Sequence, residues 1–94
     1  MSTIATVDYG SEILVRTIKP NDGGLSTDAA RAMLNFRLSQ DDALRVNDLA
    51  AKARAGTLTA EERAELDDYE RVTALLEIMQ SKARVSLKQA GQSP

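Results

Sequence analysis

The chain contains no cysteine and no histidine. Disulfides, thiolate nucleophiles, imidazole bases and the usual zinc ligands are thereby removed together. A chain without thiols also carries no signal of its redox compartment. Tryptophan is absent, and Tyr9, Phe36 and Tyr69 are the only aromatic residues, which leaves little for stacking against nucleic-acid bases. No apolar run approaches the ~18–20 residues that a membrane span needs. The opening MSTIATVDYG has neither a basic n-region nor an apolar h-region, so no signal peptide is expected. A net charge of −2 argues against bulk electrostatic binding to nucleic acid or to an anionic membrane. These absences predict a soluble, cytoplasmic protein with no cofactor, no metal, no direct nucleic-acid contact and no membrane contact.

What is present reads as one small helical domain. The 94 residues suffice for a single modest core. Residues 1–24 stand apart as an N-terminal arm. ILVRTIKPNDGG is rich in β-branched residues and closes in dense turn chemistry, which favours extended backbone followed by a turn. Ile13, Val15 and Ile18 would share one face of a short extended run. No second strand candidate exists to pair with it, so the arm is expected to be flexible, to lie along the helices, or to pair with another molecule. Helical signals begin at Ser26: LSTDAARAMLNFRL offers Ser26 or Thr27 as N-cap and Asp28 in the first turn, predicting a helix over 27–37. A second helix starts after Ser39. Its stripe is Ala43, Val46, Leu49, Ala50 and Ala53, with Asp41–Arg45 and Asp48–Lys52 as outward i,i+4 pairs and Gly56 as a left-handed stop.

The stretch RAGTLTAEERAELDDYE holds six carboxylates: Glu61, Glu62, Glu65, Asp67, Asp68 and Glu70. A metal site is one reading. Helical di-metal sites, however, take a Glu-x-x-His pair from two helices, and there is no histidine. A glycosidase-type acid pair needs one desolvated carboxyl, whereas these acids are expected on a solvated face. A helix-turn-helix is also suggested by the short helix, glycine and second helix, but phosphates would repel a recognition helix that opens with five acids. The capping box accounts for the run: Thr59 is the N-cap, Glu62 is N3, and the acids sit at the positive end of a helix over 60–89 whose far end carries Lys82, Arg84 and Lys88. No enzymatic activity is expected.

In that long helix Leu66, Tyr69, Val72, Leu76, Met79, Ala83 and Leu87 form one apolar stripe, and Leu75, Ile78 and Val85 form a second beside it. The shorter second helix covers roughly the first half. The apolar residues from Leu75 to Leu87 therefore outreach their local partners, and a contiguous exposed patch marks an interaction surface. The arm, a second copy of the chain, or a different protein would cover it. KQAGQSP beyond Leu87 reads as a disordered end, with 91–94 as the tail and 25–90 as the helical domain.

LSTDAARAML, LAAKARAGTLTAEERAELDDYERV and LLEIMQSKARVSL, together spanning Leu25 to Lys88, resemble a family of small, uncharacterised bacterial helical proteins often encoded beside an HNH-type nuclease. The resemblance covers about two thirds of the chain. It implies a protein that binds or restrains such a nuclease, as adaptor, chaperone-like partner or antitoxin-like inhibitor. Within the matched motifs Tyr69, Gln80, Ser81, Lys82 and Arg84 flank the spare apolar surface and are expected to shape specificity.

The expectation is an all-α fold of three helices (short, medium, long) in a helical hairpin or bundle with an extended or flexible N-terminal arm. The partner surface is expected to use Ile13, Val15, Ile18, Tyr69, Leu75, Ile78, Met79, Lys82, Arg84 and Val85. Anchoring by the arm and the far end of the third helix is the main route; the acidic run acting as a phosphate mimic over a basic groove is the lesser one. The alternative function is structural homo-oligomerisation through the third helix, giving a dimer.

Overall fold

The structure, a computed structural model, describes residues 9–92, and every regular element among them is helical. The first eight residues of the expected arm and the last two of the expected tail lie outside the described residues. In chain order the helices are α1 (Tyr9–Ile18), α2 (Thr27–Leu34), α3 (Gln40–Ala55) and α4 (Ala60–Gln89), with one 3₁₀ turn at Pro20–Asp22. They form two compact units. One comprises residues up to Phe36 together with those from Ala74 onward; the other comprises Arg37–Thr73. The all-α expectation holds, but there are four helices rather than three.

The extra helix is α1, which corrects the expectation of a non-helical arm. A lone strand would have left its N–H and C=O groups without partners, whereas a helix satisfies them internally. Packing supplies the rest: Leu14 and Ile18, one turn apart, are half-buried, while Ile13, Val15, Arg16 and Thr17 are exposed. Ile13 and Val15 therefore do not share a face with each other, since two helical residues are turned by about 200°. Tertiary contact on the Leu14–Ile18 edge has overridden the β-branched preference.

Helix α1 stops abruptly. Lys19 takes a left-handed backbone (φ 53, ψ 66) while its N–H still donates to the Val15 carbonyl at 2.9 Å. Pro20 follows, and a proline disfavours right-handed helical backbone in the residue before it. Gly23 then adopts φ 65, ψ −131, a region open essentially to glycine alone, and is buried against the Gln89 side chain.

In the first unit the core is Ala30 of α2 with Ala83 and Leu87 of α4, and Leu25, Met33 and Leu34 pack against it. Two facing alanines let the helices approach closely. Polar side chains from α4 finish the join. Buried Ser86 accepts the Leu25 N–H at 3.0 Å and donates to the Lys82 carbonyl at 2.7 Å. Gln80 donates to the Met33 and Phe36 carbonyls at the end of α2 (3.1 and 2.8 Å), the Met33 oxygen also accepting the Phe36 N–H at 3.1 Å. Helix α4 ends in a Schellman stop: the Gly91 and Gln92 N–H groups reach back to the Lys88 and Leu87 carbonyls. Residues 91 and 92, placed in the tail by the sequence reading, thus form part of the helix stop, and Gln92 also accepts from Arg31 at 2.6 Å.

In the second unit α3 and the first half of α4 bury Leu49 and Leu66. The turn between them is as read from the sequence. Gly56 is left-handed (φ 73), and its N–H and that of Thr57 close α3 on the Ala53 and Lys52 carbonyls. The Thr59–Glu62 capping box is present in both directions, each bond 3.0 Å. Ser26 and Ser39 cap α2 and α3 as expected.

These packing roles separate two leucine-class positions. Leu87→Ala removes a fully buried side chain and is expected to cost about 2–5 kcal/mol. Leu44→Ala, at a position 59% exposed, should stay within about 0.5 kcal/mol of the parent. Urea denaturation followed by circular dichroism at 222 nm measures both; equal losses would show that the assigned core is wrong.

Candidate functional site

The acidic run of α4 is the first candidate, because six carboxylates in one stretch invite a catalytic or metal role. Three of them, Glu62, Glu65 and Asp68, are held by neighbouring basic side chains. Glu65 receives Arg45 of α3 through two parallel hydrogen bonds, Nε to Oε2 and Nη2 to Oε1, both 2.8 Å. Glu62 receives Lys52 Nζ at 2.6 Å while also completing the capping box. Arg45 and Lys52 share Asp48 at 3.0 and 3.7 Å, rather than Arg45 pairing with Asp41. Arg71 pairs with Asp68 at 2.6 Å. Tyr69 donates its hydroxyl to Asp42 at 2.7 Å.

The sequence reading that all these acids lie on a solvated face is therefore corrected for Glu62, whose side chain is only 16% exposed, and for half-buried Glu65. The stripe of α4 that faces α3 carries carboxylates because α3 presents cations to it. The Lys52 ammonium beside Glu62, with the Thr59 N–H, pulls that carboxyl down to about 2. Arg45 lowers Glu65 by hydrogen bonding, and Tyr69 and Ser39 lower Asp42 in the same way. Among the described residues no cluster of three or more His, Cys, Asp or Glu side chains is arranged to hold a metal ion.

The second candidate lies wholly in the unit built from α1, α2 and the distal half of α4. An open cleft of about 430 Å³ is lined by Thr17, Ile18 and Lys19 from the end of α1, Leu25 from the following loop, Met33 of α2, and Met79 and Lys82 of α4. The left-handed turn at Lys19 and the tight glycine at Gly23 shape its wall, because they swing the chain from the end of α1 back toward α2. Lys82 Nζ donates to the Lys19 carbonyl at 3.3 Å, and the same oxygen accepts the Asp22 N–H at 3.0 Å. Among the described residues the lining is thus mostly apolar, with Thr17, two lysines and no carboxylate. Two methionines give it adaptable, polarisable walls.

Ile18, Met79 and Lys82 of the expected partner surface meet at this cleft. Ile13 and Val15 are 52% and 46% exposed on α1, outside the lining. Leu75 is exposed, and Ile78 and Val85 are half-buried on α4 without lining the cleft. Arg84 is exposed and sits about 200° around the helix from Lys82, so the two do not share a face. Tyr69 belongs to the other unit and is engaged with Asp42. Thr17, Lys19, Leu25 and Met33 complete the lining without having been singled out as site residues. Met33 carried a signal, its place on the inner face of α2; Lys19 carried one too, its position before Pro20.

No protein-family model, curated protein or solved structure matches the chain.

The lowered carboxyls fix the direction of the acid response. Glu62 has a folded pKa below its ordinary value of 4.5. Its contribution is therefore complete above pH 4.5 and is lost as pH falls through about 2. Melting temperature should fall across that window, and Glu62→Gln, which retains capping-box chemistry, should flatten the fall. An unaltered acid profile in the variant would show that the Lys52–Glu62 pair does not contribute.

Proposed function

We propose that the chain is a non-enzymatic interaction module that binds and regulates a partner protein through the α1–α2–α4 unit. The observation that supports this reading is the open apolar cleft lined by Ile18, Leu25, Met33 and Met79, in a unit that also exposes Ile13, Val15 and Leu75. A water-facing cleft with apolar walls costs stability unless something fills it. The family resemblance suggests the occupant: an HNH-type nuclease encoded beside this chain, which it would restrain as an antitoxin-like inhibitor or serve as an adaptor. The phosphate-mimic route is weakened, because Glu62 and Glu65 are already spent on Lys52 and Arg45.

Homo-oligomerisation through α4 is the second reading, favoured by Val72, which is 51% exposed on α4. Co-expression with the neighbouring nuclease, followed by affinity capture and light scattering, separates the two. The partner reading expects a heterocomplex, with the free protein monomeric at micromolar concentration. Ile13→Glu should leave stability within about 0.5 kcal/mol, as for other exposed positions, and reduce capture. A tight dimer that captures no nuclease would replace this reading by self-assembly.

A further inference from the structure

We infer that the cleft is built for an amphipathic helix whose apolar side chains are flanked by carboxylates, and that Lys19 and Lys82 read that charge. The inference rests on the partner-binding reading and names the chemistry of the segment bound.

Charge distribution is the first support. All five ion pairs among the described residues lie within Arg37–Thr73. That unit has nine carboxylates against six basic side chains; Arg45, Lys52 and Arg71 are paired there, whereas Arg37, Arg54 and Arg63 form no ion pair among the described residues. The cleft unit holds no ion pair among the described residues. Among the described residues neither Lys19 nor Lys82 forms an ion pair, and no carboxylate lines the cleft beside them. Asp22 and Glu77, the acids nearest in sequence, are exposed and outside the lining. Two lysines on the lining of an apolar cleft, in no ion pair among the described residues, complement an acidic, apolar occupant.

The backbone of Lys19 is the second support. Among the described residues it is the only non-glycine residue with positive φ. Glycine or asparagine is the ordinary choice at a left-handed helix stop, as at Gly56 and Gly91 here. A lysine held there is strained, and its side chain starts from the cleft wall. Local strain of this kind clusters where a side chain is used.

Size and wall chemistry indicate what enters. A cleft of about 430 Å³ is too small to enclose a helix of roughly 10 Å diameter. It can take two or three aliphatic side chains projected from one, at i and i+4. Methionine walls suit helix-in-groove recognition, since they repack around differing side chains.

The probe is a fluorescein-labelled, alanine-based peptide of about 16 residues, long enough to form a helix in water, with leucines at i and i+4 flanked by glutamates. A second peptide carries glutamine for each glutamate. Fluorescence anisotropy with the full chain should give saturable binding of the Glu peptide, about tenfold tighter than the Gln peptide, and weakening with salt. Lys19→Gly and Lys82→Met should each weaken the Glu peptide more than the Gln peptide and so erase most of that Glu preference. Lys19→Gly should also raise the melting temperature, because it relieves the left-handed strain; a structural role alone would predict no loss of charge preference. Equal affinity for the two peptides, or equal loss of both in the lysine variants, overturns the inference. So does dodecanoate shifting the Leu25, Met33 and Met79 amide resonances while neither peptide does, which would assign the cleft to a small lipid acid. The co-expressed nuclease keeps the two levels apart: capture by the wild type that survives both lysine substitutions leaves the partner reading standing and removes this one.

Discussion

Helix α4 is the element on which both units are built. Every hydrogen bond among the described residues that joins side chains or loops far apart in sequence has one partner on α4 or in its C-terminal stop. Arg45 and Lys52 reach Glu65 and Glu62, and Asp42 receives Tyr69. The Leu25 N–H reaches Ser86, the Met33 and Phe36 carbonyls receive Gln80, and the Lys19 carbonyl receives Lys82. Thirty residues of unbroken helix span about 45 Å. That is enough for its two halves to serve as the wall of two separate small cores.

The dependence on polar joins follows from how little apolar surface is available. The buried apolar residues among those described are Ala30, Leu49, Leu66, Ala83 and Leu87, and two of the five are alanines. Small chains bury a smaller fraction of their surface than large ones. Charged and amide side chains therefore take over part of the positioning. They specify which face of α4 meets which helix, since a bidentate Arg45–Glu65 contact or a Gln80 bridge tolerates little rotation. None of these groups is left orphaned: no buried side-chain nitrogen or oxygen lacks a partner among the described residues.

The same economy separates the roles of the two units. In the α3–α4 unit Arg45, Lys52 and Arg71 are paired with Asp48, Glu62, Glu65 and Asp68. In the α1–α2–α4 unit the polar joins are made by Ser86, Gln80 and a backbone carbonyl, and among the described residues Lys19 and Lys82, which line an apolar cleft, form no ion pair. The glycine at 23 and the left-handed lysine at 19 make that cleft by fixing how the chain returns from α1.

By itself the sequence determined most of what is local in origin, the Gly91 stop of α4 and the end of α2 at Leu34, rather than at 37, excepted. The caps at Ser26, Ser39 and Thr59, the Gly56 stop and the extents of α3 and α4 follow from interactions within a few residues, and all are readable in the letters. The all-α class follows from the same signals. Only the tertiary structure decided the state of residues 9–18, because β-branched composition and helical burial of Leu14 and Ile18 point opposite ways and packing wins. It alone decided that Glu62 and Glu65 are half-buried partners of α3, since one helix wheel cannot reveal what cations a neighbouring helix presents. It alone brought Lys19, Leu25 and Met33 to Met79 and Lys82, across more than forty residues of chain. A cleft is a property of elements distant in sequence, and no local spacing encodes it.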